Sequence, residues 1–307
     1  MKALVTGGNG FLGKHIIAEL VKQNIEAISY DITENNRVNL PNVEHIIENV
    51  LDKEKLISAM GGCDIVFHTA AIADINVVRD IPEKTMEVNV LGTTKCLQAA
   101  RESGVKRFLF ASSVYASGHH GSFYGISKHT GESLCKTYYE EFGLEYTILR
   151  YGSLYGSDAN HWNAIYNACK EFLLTGKITY LSSPDGIREY IHVLDAARES
   201  VRIARDPDFI NKIVMITGHQ KMKIEELFAL IEEIVGKSIE VTYASKEKRH
   251  YIMTPYSFDR DVPVRINFSH YVDISEGILG CLNKAKMDIE YERNRDEKYV
   301  IEMQTTK

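Results

Sequence analysis

The sequence predicts an α/β protein built on a doubly wound parallel sheet, with a smaller C-terminal lobe. Three observations carry this reading. Short apolar runs alternate with helical patterns from Lys2 to Arg150, the order that a parallel sheet with helices on both faces requires. The first run leads through Gly7-Gly8-Asn9-Gly10-Phe11-Leu12-Gly13 into a helix. The chain has 307 residues, 44% of them hydrophobic and 25% charged, enough to bury a large core and leave a second lobe.

Composition narrows the function classes. The net charge is -6 and the lysines and arginines are scattered, so the electrostatic footprint of a nucleic-acid binder is missing. Cys63, Cys96, Cys135, Cys169 and Cys281 are widely spaced with no C-x-x-C, and they read as reduced thiols packed inside a cytoplasmic protein. The chain enters a strand pattern at once, and no apolar run approaches membrane-spanning length, so no membrane partner is expected.

Lys2 to Thr6 forms the first buried strand, and the helix after the glycine turn runs through Val21. Gly7, Gly10 and Gly13 let the backbone turn tightly and set a helix N-terminus, with its unpaired amides, against a pyrophosphate. The second strand, Glu26 to Tyr30, ends at Asp31, where an acid takes a ribose hydroxyl. A carboxylate there repels the extra phosphate of NADP and favours NAD; Asp31 as a plain turn residue, and Arg37 nearby, are the competing readings. Val43 to Ile47 is a third strand, and Asp52 caps a helix through Met60. Asp64 to His68 is a fourth strand, leading into Thr69-Ala70-Ala71, whose small side chains let backbone lie against a cofactor; His68 reads as a packed strand-end histidine. A long helix occupies Pro82 to Ser103.

Val105 to Phe110 is a fifth strand, ending in Ala111-Ser112-Ser113 where open α/β sheets bind ligands. A helix opening near Tyr124 and running through Phe142 puts Tyr124 and Lys128 one turn apart on one face. The spacing alone also fits a solvated surface. As a pair, the ammonium favours the ionised phenol, whose ordinary pKa of about 10 makes it a poor base. Glu145 to Arg150 is the sixth strand. Beyond it the pattern gives a helix from Trp162 to Leu174, a strand within Gly186 to Val193, Asp195 capping a helix through Ala204, a strand from Ile213 to Thr217, a helix from Ile224 to Val235 and a strand from Ile239 to Tyr243. Tyr251 to Phe268 shows no clean period. His119-His120 tempt a metal reading, but without other ligands nearby they read as exposed loop residues, and no metal is expected.

With these motifs in place, the chain resembles the extended short-chain dehydrogenase/reductase family, in its nucleotide-sugar epimerase and dehydratase branch. The carrying segments are Thr6 to Gly13, His68-Thr69-Ala70-Ala71, Asn89-Val90-Leu91-Gly92-Thr93, Ser112-Ser113, Tyr124-x-x-x-Lys128, Leu149-Arg150-Tyr151 and Arg188 to Asp195. The resemblance implies a Rossmann-type domain over 1–156 and a mostly substrate-binding lobe over 157–285 with segments returning to the sheet; the charge-rich end, poor in large aliphatics, reads as a mobile tail over 286–307. It places Asn9, Phe11 and Leu12 with the glycines on the cofactor phosphates, Asp31 on the ribose, and Asn49 and Val50 beside the adenine. Ala70, Ala71, Asn89 and Tyr151 line the cofactor. Ser113 holds the sugar hydroxyl, Tyr124 moves its proton, and Lys128 holds the nicotinamide ribose and lowers the Tyr124 pKa. Arg188 and Ser153 meet the substrate diphosphate.

The implied activity is NAD-dependent epimerisation of a nucleotide-diphosphate sugar at C4, in carbohydrate biosynthesis, by a homodimer formed through the helices starting at Pro82 and Tyr124. Another nucleotide-sugar reaction (reduction, decarboxylation or dehydration) and a silent dinucleotide sensor are the alternatives. Departures from the family pattern are specific. Ser153 and Ser157 replace an Asn and a Pro, and the 114–123 loop is short, leaving Ser112 and Ser113 one position apart as candidates. Val114 and Tyr115 stand where the 4,6-dehydratases carry an acid pair. The second phosphate arginine lies among Arg249, Arg260 and Arg265, and Asp273 to Ile278 is the remnant of a closing helix.

Overall fold

The computed structural model of the chain describes residues 1–305 apart from 76, 119–120, 160–162, 182, 220 and 244–261. The first half runs β1 (Lys2–Thr6), α1 (Phe11–Lys22), β2 (Glu26–Asp31), β3 (Val43–Ile47), α2 (Lys53–Met60), β4 (Ile65–His68), the short α3 (Val77–Asp80), α4 (Pro82–Met86), α5 (Gly92–Glu102), β5 (Arg107–Ser113), α6 (Ser122–Phe142) and β6 (Glu145–Tyr151). It continues through β7 (Ser153–Tyr155), α7 (Ala164–Thr175), β8 (Lys177–Tyr180), β9 (Ile187–His192), α8 (Val193–Arg205), β10 (Lys212–Ile216), β11 (Lys221–Lys223), α9 (Ile224–Val235), β12 (Glu240–Tyr243), β13 (Val264–Arg265) and α10 (Ile274–Thr305).

The main sheet has the order β3-β2-β1-β4-β5-β6-β10-β13, every pair parallel. The chain reverses direction across the sheet between β1 and β4, which opens a crevice at the carboxyl ends of the strands. Side-chain alternation builds two cores from each strand. Ala3, Val5, Phe67, Leu109 and Leu149 pack on Ile16, Ile17 and Leu20 of α1 and Ala197 and Val201 of α8. Leu4, Val66, Phe108, Phe110 and Ile148 pack on Leu56 of α2, Leu97 of α5 and Cys135 of α6. A strand buried on both faces must be apolar at nearly every position, as β1 and β4 are, whereas the edge strand β3 carries Glu44 and His45 and is only partly buried. The second lobe pairs β11-β9-β7 and β12-β8 around a third core from α7, α9 and the start of α10.

Four features depart from the sequence expectations. The helix expected over Pro82 to Ser103 contains a π-helical turn at Glu87–Leu91, a local insertion that apolar spacing cannot reveal and that often marks a functional position. The fifth strand continues through Ser113. Asp195 does not cap α8: the helix starts directly from β9, so His192 is the cap and its ring accepts the Leu194 N–H at 3.3 Å. Asp195 instead lies within the first turn, accepting the Val272 N–H at 2.9 Å and pairing with Arg198 at 2.6 Å. The expected tail from residue 286 is helical through Thr305, with Ile289 buried. No helix among the described residues is long and apolar enough to cross a membrane.

Candidate active site

The glycine turn between β1 and α1 is tight on every side. Gly7 has φ +68°, and a Cβ on it would lie 2.8 Å from the backbone of Ala70. A Cβ on Gly13 would lie 2.1 Å from the Gly7 carbonyl oxygen. Gly10 caps α1 with no side chain bonded to the helix amides, so the donors of the first turn, including those of Phe11, Leu12 and Gly13, face the crevice without a side-chain acceptor. That arrangement fits a pyrophosphate, the part of a dinucleotide that needs backbone donors and no Cβ.

Asp31 ends β2 beside this turn and is nearly buried. One carboxylate oxygen accepts the Asn9 N–H at 3.0 Å and the other the Thr33 N–H at 3.2 Å, which fixes the group at the mouth of the crevice with lone pairs to spare. The Asn9 side chain accepts from Ser29 at 2.9 Å and donates to the Thr33 carbonyl. It therefore braces the end of β2, where the resemblance had placed it on a phosphate. Asn49 is exposed and bonds its own turn, accepting the Leu51 N–H at 3.0 Å. Val50 is buried in the layer beneath α5, with its Cγ2 3.1 Å from where a Gly92 Cβ would stand.

After β4 the chain passes through half-buried Ala70 and Ala71. Asn89, inside the π turn, accepts the Ile72 N–H at 2.8 Å and donates to the Ile72 carbonyl at 2.9 Å and to Ser127 Oγ at 3.0 Å. Both amide protons are thus engaged, and Asn89 clamps the post-β4 loop to α6; it shapes the wall through that loop. His68 is packed, as expected. Its Nδ1 meets Thr6 Oγ1 at 2.7 Å and its Nε2 meets Thr93 Oγ1 at 2.9 Å. Thr93 gives its only hydroxyl proton to the Asn89 carbonyl at 2.6 Å, so Nε2 carries the ring proton. Burial, aided by the nearby Lys128 ammonium, pushes His68 down to about 3 and keeps it neutral.

Ser112 and Ser113 separate cleanly. Ser112 donates to Glu132 at 2.5 Å, and Glu132 is held by Arg150 through Nε at 2.8 Å and a second nitrogen at 2.6 Å. Ser113 points elsewhere: its oxygen accepts the Tyr115 N–H at 3.3 Å, and its hydroxyl bonds the Tyr124 phenol. The one-residue ambiguity resolves because Ser112, inside the strand, is committed to Glu132, whereas Ser113, at the strand end, reaches the Tyr124 phenol. Lys128 is buried, donates to the Ala111 carbonyl at 2.6 Å, and lies 5.6 Å from the centre of the Tyr124 ring. Burial pushes the phenol up to about 12, with the Ser113 hydrogen bond opposing, and it pushes the ammonium down to about 8. The lowered phenol expected from the Tyr-Lys spacing is absent from the protein alone: burial raises it, and the opposing influence is the Ser113 hydrogen bond.

Tyr151 sits in the core beneath α8, its hydroxyl 2.6 Å from Ser200. Its polar end is spent there rather than on the crevice. Ser153 lies half-buried on β7. Arg188 is buried on β9 in the second lobe, where it donates to the Ile187 carbonyl at 2.8 Å and bonds the Tyr180 phenol. His119, His120, Arg249 and Arg260 lie outside the described residues, and Arg265 is on β13 at the sheet edge. Glu132 and Arg150 drew no role from sequence reasoning. The available signal was the third member of the spacing, Glu132 standing one turn beyond Lys128 as Lys128 stands beyond Tyr124.

A model of the NAD dependent epimerase/dehydratase family matches residues 3–216. A Methanocaldococcus jannaschii protein provisionally named UDP-glucose 4-epimerase is 28% identical over 306 residues, covering 92% of this chain and 98% of the relative. A UDP-N-acetyl-alpha-D-glucosaminuronate decarboxylase of Bacillus cytotoxicus is 27% identical, covering 86% and 88%. The crystal structure of a UDP-glucuronic acid 4-epimerase from Bacillus cereus, in complex with UDP-glucuronic acid and NAD, superposes with a TM-score of 0.80 at 22% identity, over 94% of this chain and 99% of that one. At that identity the match speaks for the shared fold.

Proposed function

Because the chain belongs to the NAD dependent epimerase/dehydratase family, we propose that it is an NAD-dependent epimerase of a nucleotide-diphosphate sugar, acting at C4 through a transient 4-keto sugar. The observation that carries this reading is the meeting of Ser113, Tyr124 and Lys128 at the carboxyl end of β5, the same end of the parallel sheet at which the bare amides of α1 follow β1. Residues 1–156 hold the dinucleotide: the Gly7, Gly10 and Gly13 turn and the amides of Phe11 and Leu12 take the pyrophosphate, Asp31 a ribose hydroxyl, and Ala70 and Ala71 the flank. Bound NAD supplies a hydride acceptor that becomes the donor, so it is regenerated each cycle.

The protein moves the proton. Tyr124 as phenolate takes it from the C4 hydroxyl and later returns it, Ser113 steadies that oxygen, and the Lys128 ammonium stabilises the phenolate. The lobe from 157 to 285 covers the sugar nucleotide, with Arg188 at the diphosphate, a task suited to a planar, permanently charged fork. Val114 and Tyr115 offer no acid pair for removing water, which favours epimerisation over dehydration.

A panel of nucleotide sugars incubated with the purified protein, with products separated by chromatography, tests this. Interconversion of C4 epimers without net NAD turnover is expected. Carbon dioxide release, or stoichiometric use of NAD or NADH, assigns another reaction instead.

The same reading includes a cytoplasmic homodimer. Leu91 beside α5 and Ile126 on α6 leave large apolar side chains 46% and 58% exposed, a face suited to a second copy. Light scattering is expected to give twice the chain mass; monomer at every concentration from micromolar upward rules the dimer out.

A further inference from the structure

The Ser112, Glu132 and Arg150 cluster takes no part in the roles above, yet it adjoins them. Tyr124, Lys128 and Glu132 form one stripe on three successive turns of α6. The stripe meets three consecutive residues of β5: Tyr124 bonds Ser113, Lys128 donates to the Ala111 carbonyl at 2.6 Å, and Glu132 accepts from Ser112 at 2.5 Å. Arg150, directly across from Ser112 in the β5–β6 register, grips both oxygens of Glu132. The side chains of this ion pair are 1% and 3% exposed. A well-packed apolar pair in such a place is often no less stable than an ion pair. What an apolar pair could not supply is a fixed negative charge one turn from a buried ammonium.

We propose that Glu132, fixed by Arg150 and Ser112 one turn along α6 from Lys128, is a positioning residue whose carboxylate supports the Lys128 ammonium for the proton transfer at Tyr124. This inference rests on the epimerase reading of Tyr124 and Lys128. The groups around Lys128 are Tyr124, Glu132 and Cys135 from its own helix, neutral His68 from β4, the Phe110 ring and the Ala111 carbonyl from β5, and Arg150 from β6 behind Glu132. Glu132 is the carboxylate among them, and its charge is the largest influence opposing the burial that pushes Lys128 down.

The test is the pH profile of kcat for Glu132→Gln against the parent. The active form carries phenolate on Tyr124 and ammonium on Lys128, so the rise in its population with pH ends where Lys128 loses its proton. Removing the negative charge is expected to move that break to lower pH by about one unit. Above the break kcat falls about tenfold, and well below it kcat stays within about twofold of the parent. Glu132→Asp, which keeps the charge, is expected to return the break to the parent value. A uniform fall in kcat at every pH, with the break unmoved, overturns the proposal and leaves Glu132 structural.

Glu132→Gln combined with Arg150→Met leaves no charge unpaired, and it supplies the measurement if the single variant does not fold; the same direction of shift is expected. NMR titration of 13Cε-labelled lysine, without substrate, reads the Lys128 shift directly. A parent that turns over no nucleotide sugar defeats the epimerase reading, while an unshifted Lys128 titration defeats this inference alone.

Discussion

Tyr124→Phe is expected to lower kcat for epimerisation about a thousandfold while leaving NAD affinity and Tm close to the parent values. The ring of Tyr124 is seated on α6, edge-on to Tyr115 with centroids 6.5 Å apart. Phenylalanine keeps that packing and removes only the hydroxyl that bonds Ser113. Positioned proton transfer contributes roughly a hundredfold to ten-thousandfold, and no other described group at the Ser113 hydroxyl can replace it: Ser112 is committed to Glu132 and His68 to two threonines. Steady-state kinetics, with NAD binding measured by calorimetry, checks both halves. Turnover within tenfold of the parent would falsify the role given to Tyr124.

Gly13→Ala is expected to weaken NAD binding by at least about a hundredfold and to lower Tm by several degrees. The added methyl would stand 2.1 Å from the Gly7 carbonyl oxygen and 2.9 Å from the Gly8 Cα. All of these are backbone atoms, so relief requires opening the turn itself; overpacking of this kind costs about 1–3 kcal/mol. Opening the turn also moves the first-turn amides of α1 off the pyrophosphate, so binding suffers more than folding. Calorimetric titration with NAD and a thermal melt separate the two, and unchanged NAD affinity would contradict the placement of the pyrophosphate at this turn.

Much of the fold was legible because two-sided burial forces a strong local signal. β1, β2, β4 and β5 are largely apolar runs buried on both faces, which suits neither a solvent-facing strand nor a surface helix, and the glycine turn after β1 is tight enough to exclude side chains. The expectation for α9, Ile224 to Val235, matches its observed ends. What escaped the sequence was fixed by contacts distant along the chain. Asn89 matched a cofactor-lining motif, but its hydrogen bonds to Ile72 and Ser127 depend on a π turn that no periodicity announces. Tyr151 matched likewise, and its hydroxyl found Ser200, far along the chain. The Tyr124 pKa went opposite to the expectation because spacing shows the neighbouring charge but not the depth of burial. The choice between Ser112 and Ser113 required knowing where β5 ends.

The order of the main sheet also bears on how the chain is made. β6 is bordered on its far side by β10, which the ribosome delivers only when residue 216 has emerged, and β10 by β13 from residues 264–265. Until then the nascent protein carries an unpaired strand edge beside Ile148 and Leu149, a template for pairing with other chains. A message truncated after residue 156 encodes the glycine turn, Ser113, Tyr124 and Lys128, but its product keeps that edge open for good. Such a fragment is expected to self-associate through that edge, although it carries the whole glycine turn.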